Sequence, residues 1–234
     1  MLSTLATLVL GALFVSLGSW QMQRAAEKED VLARQSRSEA EAALRIEGHD
    51  SAEFLHLRKV EVICEPDFER QLLLDNRVRQ QRVGYHVLVP CVFANGLGVL
   101  LNRGWTLSQQ TRDSLPEVSY SGPARARLGG TFAVPGVGVR LGQMLDAQHI
   151  GWPKRIQFYD FEAISSLLDL PLLAGIVHLE ESQPETLAFD WSPVAFGPEK
   201  HYAYAAQWFG FLIVLLILYV GLNFRKNGSG ADDE

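Results

Sequence analysis

The sequence predicts an α+β protein in which two transmembrane helices flank a mostly antiparallel β-sheet extramembrane domain with a packed helix. Three observations predict it. Apolar residues concentrate at the two ends, in stretches comparable to the about 20 helical residues that cross a hydrocarbon core roughly 30 Å thick. Between them lie short runs of β-type sequence bounded by turn residues. Within that series one segment repeats its apolar residues with helical spacing. A chain of 234 residues accommodates one core domain plus membrane segments. The composition is that of a folded protein, with 47% apolar and 21% charged residues and a formal charge of -6. Lys and Arg are scattered among acids and form no stripe, which excludes a nucleic-acid partner.

The first element, residues 1–22, contains "LSTLATLVLGALFVSLGSW" from Leu2 to Trp20. Ser16 and Gly18 offer a small-x-small cleavage site, but no basic residue precedes the apolar run, so an uncleaved anchor is expected rather than a signal peptide. In "LGSWQMQR", Gly18 lets another helix approach, Trp20 is interfacial and Arg24 snorkels. Residues 23–45 are rich in Ala, Glu, Gln and Arg and lack Pro and Gly, which predicts a solvated helical stalk.

An α+β domain is expected over residues 46–185. "KVEVIC", "QLLLDNRV", "YHVLVPCVF", "GVLLNRGW", "ARARLGGTFAV" and "AGIVHLEE" read as strands. Asn95-Gly96 marks a two-residue hairpin between the third and fourth, because both residues tolerate positive φ. "DFEAISSLLD" predicts a helix with Asp160 as N-cap and Phe161, Ile164, Leu167 and Leu168 on one face. Cys64 and Cys91 are too far apart for a C-x-x-C motif; an oxidising compartment permits a disulfide, but two buried free thiols are the expectation.

Residues 186–200 carry prolines that interrupt regular hydrogen bonding, so an extended strap is expected there. The second span, residues 201–223, has no charge from Tyr202 to Leu222. Arg225 and Lys226 follow it, and residues 224–234 form the expected cytoplasmic tail. With both helices spanning, the termini share a side, and the basic pair puts that side inside and the domain outside.

A search for catalytic chemistry finds no G-x-S-x-G, no H-E-x-x-H and no P-loop, so no enzyme is expected. "GVGVRLG" from Gly136 lacks the third fingerprint glycine and reads as a turn. His49, His56, His86, His149, His178 and His201 never stand at i, i+3 or i, i+4, so there is no local metal pair. His86 and His178 alternate with apolar residues in predicted strands and read as surface or hydrogen-bonded sheet residues.

His201 differs by its surroundings. At about 100° per residue, Ala205, Trp208 and Leu212 fall within about 40° of it, with Tyr204 beside. Two readings stand: a seat for a flat iron porphyrin, with the imidazole on the iron and Ala205 leaving room, or an aromatic belt at the membrane interface. In "NRGW", Arg103 has the planar fork that binds a propionate or phosphate, or it staples a turn through a local carbonyl with Trp105 in the core.

In order, "LGSWQMQR", "GYHVLVP", "LLNRGWTL", "GGTFAVP", "GWPKRIQFYDFEAI" and "GPEKHYAYAAQWFGFLIVLLILY" resemble the Surfeit locus protein 1 family of cytochrome c oxidase assembly factors. The closing segment is the most specific, with His201, Tyr204, Gln207, Trp208 and Phe209 in the family pattern. The family often has Val-Pro where this chain has Thr106-Leu107, and often Gly in place of Cys64. The resemblance implies a multi-pass protein of the bacterial inner membrane with a periplasmic domain. It also implies a role in respiratory chain complex IV biogenesis as a chaperone that binds haem a through His201 and delivers it to subunit I. Haem a synthase is then a candidate source and membrane lipid a second partner. The alternative is a scaffold for the oxidase subunit that never holds haem, with Gly18, Tyr204 and Trp208 as helix-packing residues.

Overall fold

The computed structural model describes residues 2–48, 50–109, 114–122, 127–136, 142–145, 151–183, 185–188, 191–194 and 196–228. The expected turn at 136–142 falls largely outside these residues, as do His49, His149 and the tail from 229 onward. Two compact units are present, one of residues 1–33 and 194–234, the other of residues 34–193.

The first unit is a helix pair. The helix α1 (Leu2–Ala40) supplies its residues up to 33, and α4 (Pro198–Gly228) supplies the rest. Pro198, whose missing N–H costs nothing in a first turn, and Glu199 open α4 three residues before the predicted span. Both helices are long and apolar enough to cross a membrane. Their apolar side chains face outward, as with Leu8 at 66% and Ile217 at 64% exposure, the reverse of a water-soluble helix and what a lipid solvent favours.

Among its described residues the second unit holds nine strands in one sheet. They are β1 (Leu44–Ile46), β2 (Arg58–Ile63), β3 (Glu65–Pro66), β4 (Leu72–Arg79), β5 (Arg82–Val92), β6 (Gly98–Leu107), β7 (Arg127–Ala133), β8 (Lys154–Ile156) and β9 (Leu172–Leu179). Two short helices, α2 (Ala52–Leu55) and α3 (Phe161–Leu168), complete it. The neighbour order is β1-β2-β7-β9-β6-β5-β4-β8, with β3 paired to β5. The pairs β1·β2, β4·β8 and β6·β9 are parallel and the rest antiparallel.

That order closes on itself. Only Cys64 separates β2 from β3, so one extended segment pairs at its start with β7 and at its end with β5. The circuit β2, β7, β9, β6, β5, β3 therefore encloses a barrel-like core. Val60, Val62, Val89, Val99, Leu101, Phe132 and Val177 fill it, all at most 1% exposed. Gly175 belongs to this packing, because a Cβ there would overlap the Phe132 ring. A second cluster, Leu72, Leu74, Leu88, Leu100 and Ile176, is covered by Ile164 and Leu168 of α3. Burial on both faces explains why β5 reads as a continuous apolar run. Asp160 caps α3 as expected, its Oδ1 accepting from Ala163 N at 3.1 Å.

Two expectations are corrected. Cys64 and Cys91 are not free thiols; they form a disulfide, because β3 pairs with β5 in the register Pro66↔Cys91 and brings the two Cα atoms to 5.5 Å. The bond lies at the closure of the circuit. The β5–β6 hairpin turns through three residues, not two: Gly96 N donates to Phe93 O, Gly96 takes φ 83°, and Phe93 N donates to Leu97 O. This is a type I turn followed by a left-handed glycine, which the side chain of Asn95 supports by accepting from Leu97 N. The predicted stalk is helical to Ala40, and its Ser38 is buried, with Oγ accepting the Lys59 N–H at 2.6 Å.

Candidate functional site

The helix pair of the first unit is antiparallel, as successive contacts show. Tyr219 Oη donates to Thr4 Oγ1, the Leu212 side chain lies against Gly11, Trp208 stacks on Phe14 at 5.9 Å, and His201 meets Gln21. Gly18 makes room for Phe209 of α4: a Cβ there would lie 2.7 Å from its ring. Ala25 and Ala205, 0% and 2% exposed, add buried small residues to this seam.

His201 stands at this seam, half-buried, with Nδ1 2.8 Å from Gln21 Oε1. An amide oxygen only accepts, so in this contact the ring nitrogen Nδ1 is the donor and Nε2 is the nitrogen turned away from Gln21. The adjacent Tyr202 donates its Oη–H to Glu29 Oε1 at 2.8 Å. The predicted face of His201, Ala205, Trp208 and Leu212 is one face, and it is turned toward α1. Ala205 is packed there, and Trp208 sits in a cluster with Phe14 and Phe211. Tyr204 points away and is 54% exposed.

Arg103 belongs to the other unit and is 3% exposed. Its Nε donates to Glu185 O at 2.7 Å, and one terminal nitrogen donates to Gln71 Oε1 at 2.7 Å and Val118 O at 2.6 Å. Phe68 and Tyr120 lie within 5.5 Å of the guanidinium carbon. Burial lowers its pKa, an effect opposed by Tyr120 and Glu185. The rest of "NRGW" serves the same region. Asn102 Oδ1 accepts from Gly104 N, which turns its amide nitrogen to His178 Nδ1 at 2.9 Å. Gly104 has φ 115°, and a Cβ there would lie 2.6 Å from Ala188 O. The strap needs that space, because Trp105 N donates to Ala188 O and Leu187 N to Arg103 O. Trp105 Nε1 donates to Arg77 O. The motif thus anchors the chain returning from β9 onto β6.

His178 is buried against Trp191, with ring centroids 4.1 Å apart, and desolvation holds its pKa well below the ordinary histidine value, with a further lowering from His86. Sequence reasoning missed Gln21 and Glu29. The signal was present: an amide at the end of an apolar helix must find a polar partner or remain costly to insert.

Comparison with known proteins gives two findings. A family model described as "SURF1 family" matches residues 8–213, most of the chain. A SURF1-like protein of Rickettsia felis is 23% identical over 235 residues, which cover 97% of this chain and 98% of that protein.

Proposed function

The chain belongs to the SURF1 family, which is linked to cytochrome c oxidase assembly and is not a catalytic family, and from that premise we infer that it carries haem a to subunit I of the oxidase. The observation that supports this reading is the His201–Gln21 pair. The donor set suits a single axial bond: one imidazole whose Nδ1 meets an amide oxygen, which leaves Nε2 as the nitrogen for a metal. When bound, the haem supplies the iron that this nitrogen ligates. A carrier that must release its cargo is served by few bonds.

Within this reading Tyr204 is the exposed ring beside the ligand, whereas Ala205 and Trp208 act by holding α4 to α1. Arg103 is buried in the other unit, where its hydrogen bonds secure the domain. The cargo comes from haem a synthase. The antiparallel helix pair, the basic Arg225-Lys226 pair and a disulfide suited to an oxidising compartment support an inner-membrane protein with its sheet domain in the periplasm.

The test is to purify the protein in detergent from cells that make haem a and record its visible spectrum. The expected result is a Soret band from bound haem a that His201→Ala removes without lowering the amount of protein in the membrane. A colourless wild-type protein, or an unchanged spectrum in His201→Ala, overturns the reading. A colourless protein whose deletion still lowers oxidase assembly supports the second reading, a scaffold for the oxidase subunit. That reading is favoured by the packing of Ala205 and Trp208 into the helix pair.

A further inference from the structure

We propose that Gln21 is a positioning residue: its side-chain carbonyl fixes His201 as the Nδ1–H tautomer and so makes Nε2 the nitrogen that meets an iron porphyrin. The inference rests on the reading that His201 is the haem ligand, and it assigns a role to a residue of the first helix.

The geometry carries it in three steps. First, the 2.8 Å contact joins two side chains from different helices, so it exists only in the paired arrangement of α1 and α4. Gly18, one turn before Gln21, lies under the Phe209 ring with no room for a Cβ, and Ala25, one turn after, is 0% exposed, so packed residues flank the amide on both sides. Second, Oε1 has lone pairs and no proton, so the ring nitrogen facing it must donate, and a neutral imidazole has one proton to donate. Third, the partner is an amide. A carboxylate at this place would draw the Nδ1 proton, raise the basicity of Nε2 and tighten the metal bond, whereas an amide orients the ring with less of that effect. A carrier gains from the weaker choice, because it must let its cargo go.

The tautomer is read without haem. Full-length protein labelled with ¹⁵N-histidine is placed in lipid nanodiscs, and the His201 signals are identified by their loss in His201→Ala. Nδ1 is expected in the protonated range and Nε2 in the lone-pair range. The reverse assignment overturns the proposal, whatever haem does. In the haem-loaded arm, Gln21→Leu is expected to mix the tautomers and weaken haem a binding about 10–100-fold. Gln21→Glu, which retains the acceptor, is expected to restore binding, to slow transfer to an apo-haem acceptor and to lower the reduction potential of the bound haem. A Gln21→Leu protein with wild-type tautomer and affinity sinks the positioning role alone. If His201→Ala keeps its haem, the ligation reading fails, while the tautomer assignment is still decided by the spectrum of the wild type. Should Gln21→Leu fail to accumulate in the membrane, the wild-type spectrum and the potential of Gln21→Glu decide.

Discussion

Replacing Arg103 by leucine separates a structural role from a ligand-binding one. The guanidinium makes three hydrogen bonds inside the domain, to Glu185 O, Gln71 Oε1 and Val118 O, and Gln71 and Glu185 are themselves 3% and 1% exposed. Leucine fills part of the volume but leaves Glu185 without the nearby cation and Gln71 Oε1 without its charged donor. Removing one side of a buried charged network costs about 3–5 kcal/mol. For a domain of this size each kcal/mol moves the unfolding midpoint by about 2–4 °C, so a fall of roughly 6–20 °C is expected. Lysine does not rescue it, since one ammonium lacks the planar fork that serves Glu185 O and Gln71 together. The assay is thermal unfolding of the full-length protein in detergent, followed by near-ultraviolet circular dichroism, with haem content measured on the same samples. An unchanged midpoint together with lost haem would refute this reasoning and return Arg103 to the ligand.

Replacing Cys64 and Cys91 together by serine releases a crosslink spanning 27 residues, whose loop-closure entropy corresponds to about 3.5 kcal/mol. The loss is expected as a lower unfolding midpoint, and reducing agent should lower the wild type to a similar extent while leaving the serine variant unaffected. His178 gives a pH signature. Burial depresses its pKa well below the ordinary value, so below about pH 6.5 the unfolded chain takes up a proton that the folded chain does not. Its stabilising contribution is therefore complete above that pH and declines as pH falls, by up to about 1.4 kcal/mol per unit. Urea unfolding between pH 7.5 and 5.5 should show this slope in the wild type and a shallower one in His178→Gln; equal slopes would exclude the assignment.

The strands of the domain were legible because each of β2, β4, β5, β6, β7 and β9 carries enough β-type residues between turn signals to be recognised locally. The strands β1, β3 and β8 are two or three residues long, too short for any period to register, and they exist only because a neighbour pairs with them. The closure of the sheet and the disulfide share that origin. Nothing near Cys64 announces Cys91; their proximity follows from β2 and β3 running as one segment along two different neighbours, a relation between residues far apart in sequence. "NRGW" shows the complementary case, in which the residue types were conspicuous but their partners across the fold, Glu185, Gln71, Val118, Arg77 and Ala188, lie 15 or more positions away.

The helix pair shows where pattern reading stops in a lipid solvent. In water an apolar stripe marks the buried face, but α4 is apolar nearly all round, so hydrophobicity does not tell the face that packs from the face that meets lipid. Angular spacing correctly grouped His201, Ala205, Trp208 and Leu212; it did not show that α1 lies against them. Small and polar residues are the better guide, because only they gain by leaving lipid: Gly18 and Ala25 on one helix, Ala205 on the other, with Gln21 facing His201. Read this way, the imidazole at the start of the second span and the amide near the end of the first are one feature. An isolated histidine there would be one more member of an aromatic belt, whereas a histidine whose Nδ1 meets an amide oxygen at 2.8 Å has its ring orientation set by a partner on the other helix.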